Sequence, residues 1–157
     1  MVELENVGRE TLESMITQHP FWCDLAQPHL AHIVACTLVI QFEPNEHILI
    51  EGHPAENFYL IQEGEVALKT FLSPSEGFVE IQRLKKGDIL GWSWLVPPHY
   101  WHFSAFAIGP TVTLRLDGKR LRHLCEADHE FGYEIQKRLL LLIGQRLRRT
   151  RQQLLDR

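Results

Sequence analysis

Seven short runs rich in aliphatic, β-branched and aromatic residues follow one another between residues 37 and 116, and turn signals such as Glu63-Gly64 separate them. Many short strands at close spacing are typical of an antiparallel barrel or sandwich. Residues 9–36 and 117–157 carry helical spacing instead. The pattern predicts an α+β fold that is mainly β, with strands between N-terminal and C-terminal helices. The runs are LVIQF, EHILIE, NFYLIQ, EVALKTF, VEIQRL, HFSAFA and TVTLRL.

Size and composition limit the class of protein. The 157 residues and 18.3 kDa suit a single domain over 1–157, and the net charge of -4 gives no general attraction to nucleic acid or anionic membranes. No apolar run approaches the roughly 18 residues of a membrane span, and the N-terminus lacks the pattern of a signal peptide. Three scattered cysteines, Cys23, Cys36 and Cys125, indicate reduced thiols. The sequence therefore predicts a cytoplasmic protein that has no membrane partner.

The segment GDILGWSWLVPPHYWHFSAFA, residues 87–107, is the most informative local stretch. A Gly-Asp turn leads through an apolar pair to a second glycine, Gly91, which precedes a short helix-like segment, a proline loop and a new strand. A glycine just before a helical turn leaves backbone N–H groups without an internal partner, and these groups can face an anion. The segment is therefore a candidate anion-binding loop.

This layout resembles the phosphate-binding cassette of the cyclic-nucleotide-binding domain superfamily, the effector domain of Crp/Fnr-type regulators. Other pieces match in order over about residues 20–157. The stretch FEPNEHILIEGHPAENFYLIQEGEVAL looks like the family's opening strands, and R-L-x-x-x-R-x-x-L-L from Arg146 to Leu155 resembles its dimerisation helix. The resemblance implies an eight-stranded β-roll (a double-stranded β-helix) over 37–116. N-terminal helices over 1–36 and C-terminal helices over 117–157, the last a long dimerisation helix, would flank this roll.

The family's cassette reads roughly G-E-L-A-L, then a loop, then R-A-A-T. Its glutamate accepts a hydrogen bond from the ribose, and its arginine meets the cyclic phosphate. In this chain Trp92 stands at the glutamate position and Trp101 at the arginine position, and a slip of one residue would place His102 there. Hydrogen bonds to charged groups contribute roughly 1.5–3 kcal/mol each, so losing both would weaken cyclic-nucleotide binding by roughly a hundredfold or more. The candidate ligand-binding residues are Gly91, Trp92, Ser93, Trp94, Leu95, Trp101, His102 and Ser104.

The sequence leaves open three possibilities for what occupies this pocket. The tryptophans fill it, or a non-standard small ligand stacks on them, or cyclic AMP or cyclic GMP binds with micromolar affinity. The leading hypothesis is a regulatory, ligand-sensing module with a degenerate cassette. The alternative is a dimeric protein-interaction module whose pocket is filled by tryptophan side chains.

The C-terminal segment carries its own apolar seam. Spacings of three and four residues are typical of a coiled coil and predict a homodimer through this helix. The other possibility is a single amphipathic helix that folds back on its own core. Leu139, Leu142 and Leu155 form a neighbouring face expected to pack onto the barrel, and the arginines between 146 and 151 are expected at solvated flanks. The seam positions are Leu140, Ile143, Leu147, Thr150 and Leu154.

Other chemistry has little support in the sequence. Nine histidines invite a metal site, yet no H-x-H pair and no tight set of three or four donors occurs. No G-x-S-x-G, P-loop or G-x-G-x-x-G motif is present, so we expect neither catalytic residues nor metal ligands. The helix-turn-helix with which Crp/Fnr-type factors read DNA would begin after Arg157, so we expect no sequence-specific DNA binding from this chain.

Overall fold

A computed structural model describes residues 1–156. Helices α1 (Arg9–Gln18) and α2 (Gln27–Ala35) flank a 3-10 turn at Pro20–Trp22 near the start of the chain, and helices α3 (Gly118–Ala127) and α4 (His129–Leu155) end it. Within this range there are nine strands. They are β1 Val2–Glu3, β2 Thr37–Phe42, β3 His47–Leu49, β4 Asn57–Glu63, β5 Glu65–Ser73, β6 Gly77–Lys85, β7 Ile89–Leu90, β8 Ser104–Ala107 and β9 Thr111–Asp117.

The strands form two antiparallel sheets. One sheet has the order β1-β2-β9-β4-β7, and the other has the order β3-β8-β5-β6. The prediction of a β-roll that is preceded and followed by helices along the sequence is therefore confirmed. The described residues form nine strands rather than the expected eight. The two-residue strand β1, which pairs with Gln41 and Ile40 of β2, carries too little pattern to be recognised in a sequence.

The core lies between the two sheets. In β4 four consecutive residues, Phe58 to Ile61, are buried, because both faces of this strand are covered. Tyr59 and Ile61 join the cluster between the sheets. Its buried members are Ile40, Phe42, Leu49, Ala55, Tyr59, Ile61, Val66, Leu68, Leu84, Leu90, Trp101, Phe103, Ala105 and Ala107.

A second, aromatic cluster covers the other face of β4. Phe58 lies edge-to-face with Phe21 at a centroid distance of 5.4 Å and with Trp22 at 6.3 Å. Trp94 also contacts Phe58, at 5.4 Å. The 3-10 turn before α2 is therefore joined to β4 by rings, and Trp94 belongs to this cluster.

The chain divides into two compact units, Met1–Leu121 and Arg122–Arg157. In the second unit the side chain of Asp128 caps α4 by accepting hydrogen bonds from the N–H groups of Glu130 and Phe131. The helix break expected around residues 126–128 lies at this cap.

Three of the five seam positions of α4 are strongly exposed: Leu140 and Leu147 at 69% and Leu154 at 62%. Of the neighbouring face, Leu139 is buried, whereas Leu155 is 68% exposed. Arg146, expected at a solvated flank, is buried at 7% exposure. A long arginine stem can be covered in this way, and sequence spacing alone does not reveal it.

His19 connects the N-terminal helices to the turn that precedes β7. It is 3% exposed, and its Nδ1 accepts a hydrogen bond from the N–H of Phe21 at 3.2 Å. Burial lowers the pKa of His19 to about 4, and the nearby Asp88 opposes this shift only in part. The imidazole is therefore neutral in the folded protein at neutral pH.

The buried His19 should make the fold sensitive to acid. The folded state binds the proton less readily than the unfolded state, so the stabilisation is complete above pH 6.5 and is lost as the pH falls toward 4. We expect His19→Gln to reduce the acid-induced loss of unfolding free energy by up to about 3 kcal/mol. Urea denaturation at pH 7 and pH 4.5 measures this loss. The exposed His123→Gln is the control, and an equal acid response of both variants would contradict the prediction.

Candidate functional site

Gly91 follows β7 and adopts a left-handed backbone conformation with φ +93°. A Cβ built on this residue would lie 2.6 and 2.7 Å from two carbons of the Trp101 indole ring, far inside van der Waals contact. The ring therefore lies directly against the Cα of Gly91. Only glycine satisfies both the backbone angle and the close approach of the ring.

A ladder of backbone hydrogen bonds holds Trp101 in this position. The N–H of Gly52 donates to the carbonyl of Trp101 at 2.9 Å, and the N–H of Trp101 donates to the carbonyl of His53 at 3.0 Å. The N–H of Ala55 donates to the carbonyl of His99 at 2.7 Å. The segment before β8 is thus paired with the turn after β3, which fixes the backbone from which the indole extends toward Gly91.

The ladder ends at Ser104, the last of the predicted site residues. The Oγ of Ser104 accepts a hydrogen bond from the N–H of Glu51 at 3.0 Å. The Glu51 carboxylate in turn accepts from the Thr70 hydroxyl at 3.0 Å and from the N–H of Phe71 at 3.3 Å. Ser104 is 2% exposed, and its hydroxyl joins β8 to Glu51 after β3, while the Glu51 carboxylate in turn binds β5.

The short helix-like segment expected after Gly91 is not a helix in the structure. Residues 93–95 form a single turn, in which the N–H of Leu95 donates to the carbonyl of Trp92 at 3.0 Å. Pro97 and Pro98 follow and are joined by a cis peptide bond. Proline has no N–H to donate, so the turn cannot continue as a helix. This part of the chain therefore lacks the helix N-terminus that an anion would meet.

The predicted site residues divide between two clusters. Trp92 is partly buried beside the core between the sheets, where it lies edge-to-face with Phe103 at 5.7 Å. Trp94 is completely buried in the other aromatic cluster, against Phe58. Trp92 and Trp101 are therefore brought to the core between the sheets, and Trp94 is not.

The remaining predicted residues differ in exposure. Ser93 is 4% exposed, Leu95 is partly buried, and His102 is exposed. Phe103 was not among the predicted site residues, although it packs on Trp92 and is only 9% exposed. The alternation of apolar and polar residues over residues 101–104 is the sequence signal that could have revealed it.

The segment from Gly91 to Ser104 contains no Asp, Glu, Lys or Arg. Its ionisable side chains are those of His99, Tyr100 and His102. A cyclic phosphate placed here would therefore meet no permanent positive charge from the segment itself. The aromatic rings can offer stacking faces, but they do not balance an anion.

The cysteines offer no reactive thiolate in the buried parts of the fold. Burial raises the pKa of Cys125 to about 11 and also raises the pKa of Cys36. Both side chains are thiols at neutral pH, which is the form that reacts slowly. Among residues 1–156, no group of three or more His, Cys, Asp and Glu side chains is arranged to hold a metal ion. No helix in the same range is long and apolar enough to cross a membrane.

The β-roll with its flanking helices along the sequence is the fold of a known class of regulatory domain. The family model for the cyclic nucleotide-binding domain matches residues 39–128. The chain belongs to the cyclic nucleotide-binding domain family.

One curated relative is the regulatory subunit of cAMP-dependent protein kinase type I-alpha from Mesocricetus auratus. It is 38% identical over 52 residues, which are 33% of this chain and 31% of the relative. The match thus spans about a third of that protein.

Solved structures share the fold over most of the chain. A protein of Geobacter metallireducens GS-15, which its solvers assign to the cyclic nucleotide-binding proteins, is 26% identical with a TM-score of 0.76 over 90% of this chain and 98% of that one. FixK2 of Bradyrhizobium japonicum, a Crp/Fnr-like neighbour, is 20% identical with a TM-score of 0.62 over 76% of this chain and 56% of FixK2. A mutant regulatory subunit of a cAMP-independent protein kinase A from Trypanosoma brucei is 24% identical, with a TM-score of 0.70 over 83% and 45% of the two chains.

The contact between Gly91 and Trp101 should be measurable as a coupling energy. Gly91→Ala adds both left-handed strain and a clash with the indole, so we expect a loss of about 2 kcal/mol or more in unfolding free energy. Gly77→Ala is the matched control, because Gly77 also has a positive φ of +66° but nothing within 4 Å of its Cβ position. It should lose only about 1 kcal/mol.

Urea denaturation of Gly91→Ala, Trp101→Ala and the double variant completes the test. Removal of the indole makes room for the new methyl group, so Gly91→Ala should cost less in the Trp101→Ala background. Strictly additive losses would show that the ring does not press on Gly91.

Proposed function

We propose that this chain is a regulatory domain that acts as a dimeric protein-interaction module. Its cradle, the pocket between Gly91 and Ser104 that would hold a cyclic nucleotide, is occupied by its own Trp101. The observation that carries the proposal is the position of the indole ring against the Cα of Gly91. The cradle glycine is the place where the family's backbone approaches the cyclic phosphate. In this chain an apolar ring occupies the equivalent space.

Energetics support a closed cradle. A cyclic nucleotide would have to displace a side chain that is only 5% exposed, which returns a large apolar surface to water. It would gain no charged partner from the segment between Gly91 and Ser104. Each missing hydrogen bond to a charged group removes about 1.5–3 kcal/mol of binding free energy. Both terms oppose cyclic AMP and cyclic GMP.

Loss of cyclic-AMP dependence is known on this fold. The Trypanosoma brucei relative is the regulatory subunit of a cAMP-independent protein kinase A, and a triple mutant of that subunit is bound to cAMP in its A site. This fold therefore also occurs in a regulatory subunit of a kinase that is independent of cAMP. The precedent supports a function of the present chain that does not depend on cyclic AMP.

The ligand-sensing hypothesis remains a prediction beside this proposal. It requires Trp92 and Trp101 to serve as stacking faces for a flat ligand, and Trp92 is partly buried rather than completely covered. The same titration that tests the closed cradle also tests the response to cyclic nucleotides.

A titration with cyclic nucleotides decides between the closed cradle and the ligand-sensing hypothesis. We expect calorimetry of the wild-type protein with cyclic AMP and cyclic GMP, at pH 6.0 and 7.5, to give no saturable heat below millimolar concentration. The variant Trp92→Glu/Trp101→Arg restores the two charged anchors and should gain at least tenfold in affinity. Trp92→Gln/Trp101→Met is the uncharged control, which removes the indole without supplying charge and should gain less affinity than the charged pair. Micromolar binding by the wild type would refute the closed cradle, and stronger binding at pH 6.0 would indicate a contribution from protonated His102.

The interaction surface of the proposed module is the exposed seam of α4. Leu140, Leu147 and Leu154 are each more than half exposed and recur at intervals of seven residues, which matches one stripe of a coiled coil. An apolar stripe of this kind costs free energy while it faces water. A second copy of the same helix would cover it symmetrically.

Dimerisation is tested by introducing one glutamate at either of two positions of α4. Leu147→Glu places a carboxylate in the seam and should convert a dimer to a monomer, measured by light scattering at micromolar concentration. Leu141→Glu is the control, because Leu141 is 63% exposed but lies outside the seam. A wild-type protein that is monomeric, or a dimer that survives Leu147→Glu, would contradict the seam.

A further inference from the structure

A separate cleft lies beside Trp101, at the end of the roll where β3 turns toward β4. Its volume is about 180 Å³. At about 30 Å³ for each water in the liquid, this space equals roughly six water molecules, which suits a ligand no larger than a substituted benzene ring. Its apolar lining includes Ile48, Ile50, Pro54 and Trp101.

The cleft does not coincide with the cassette. Of the residues predicted for cyclic-nucleotide binding, Trp101 alone lines it. The indole thus contacts Gly91 and also forms part of the cleft wall. A ligand in the cleft would therefore touch the side chain that closes the cradle, without entering the cradle.

Polar groups lie at one side of the cleft. Asn57 and Tyr59 of β4 both line it, and Tyr59 is only 4% exposed. Tyr59 pairs directly with Arg115 of β9 in an antiparallel register, so the two side chains lie on the same face of the sheet. Burial raises the pKa of the Tyr59 hydroxyl, and the guanidinium of Arg115 and the side chain of Asn57 oppose that rise through hydrogen bonding. Arg115 does not itself line the cleft, but it lies beside Tyr59, which does, on the same face of the sheet.

Arg115 carries a charge that the fold does not balance locally. It is partly buried, and among residues 1–156 it makes no ion pair with a carboxylate. Its other cross-strand neighbour is Leu38, which supplies no hydrogen-bond acceptor from its side chain. A partly desolvated guanidinium without a carboxylate is a good receptor for the planar, two-oxygen group of a carboxylate ligand.

Glu56 also lines the cleft and would favour a cation instead. Its side chain is exposed, so water and salt screen its charge strongly. Arg115 is screened less because it is partly buried. The balance of charge therefore favours an anion.

We propose that this cleft binds a small carboxylate, whose apolar body lies against Trp101 and Ile50 and whose oxygens accept hydrogen bonds from Arg115 and the Tyr59 hydroxyl. The site is independent of cyclic-nucleotide binding at the cradle. Because Trp101 forms its wall, occupancy of the cleft changes the surroundings of the residue that closes the cradle.

Benzoate and benzylamine are matched probes, since the two ions share one ring and differ in charge. We expect benzoate to shift the indole N–H resonance of Trp101 saturably, with a dissociation constant on the order of 1 mM. Trp101→Phe identifies this resonance by removing it. Benzylamine at the same concentrations should cause no saturable shift. Saturable binding of benzylamine in place of benzoate, or of neither probe, would overturn the proposal.

Variants separate the two charges at the cleft. Arg115→Met should weaken benzoate binding about tenfold or more, whereas Glu56→Gln should leave it unchanged or strengthen it. Arg83→Met, which removes an exposed arginine on β6, is the control and should change nothing. If Arg115→Met fails to fold by circular dichroism, Tyr59→Phe keeps the ring and should still weaken binding several-fold. Loss of benzoate binding in Glu56→Gln, or full binding in the folded Arg115→Met or Tyr59→Phe variants, would overturn the assignment.

Discussion

The contact between the indole of Trp101 and the Cα of Gly91 links most features of the candidate site. It requires a left-handed backbone at Gly91, which places a glycine at the end of β7. It also depends on the hydrogen bonds between residues 52–55 and 99–101, which hold the indole in place. The ring lies against the Cα of Gly91 and also lines the neighbouring cleft. One side chain therefore borders both the cassette and the cleft.

The aromatic residues near the cassette serve two different purposes. Trp101, Trp92 and Phe103 belong to the core between the sheets, while Trp94 joins Phe58 in the second cluster. A single residue, Ser93, separates Trp92 from Trp94, yet their side chains enter different clusters. The sequence pattern does not reveal this division, but the division determines which rings a ligand could contact. Trp94 packs in the second cluster, so it stabilises the fold and does not contribute a ring to the site.

Much of the architecture was predictable because it rests on local patterns. The alternation and the turn signals located the longer strands, and the heptad-like spacing located the long final helix. The missing charges of the cassette were also readable, since they concern residue types alone. The segment after Gly91 was predicted to be helix-like, but residues 93–95 form only a single turn, because Pro97 and Pro98 cannot donate the N–H groups that a continuing helix needs. The burial of Arg146 and the exposure of Leu155 were missed because helical spacing does not show which face is covered.

The sequence by itself determined the family, the order of the strands along the chain and the absence of charged anchors between Gly91 and Ser104. These follow from residue types and spacings, which are local properties. The tertiary structure alone decided that Trp101 lies on Gly91 and that Arg115 lies across from Tyr59. These pairs are separated by ten or more residues, and their contact depends on strand register and on the pairing of distant turns. Register is a property of the whole sheet, so no short stretch of the sequence contains it.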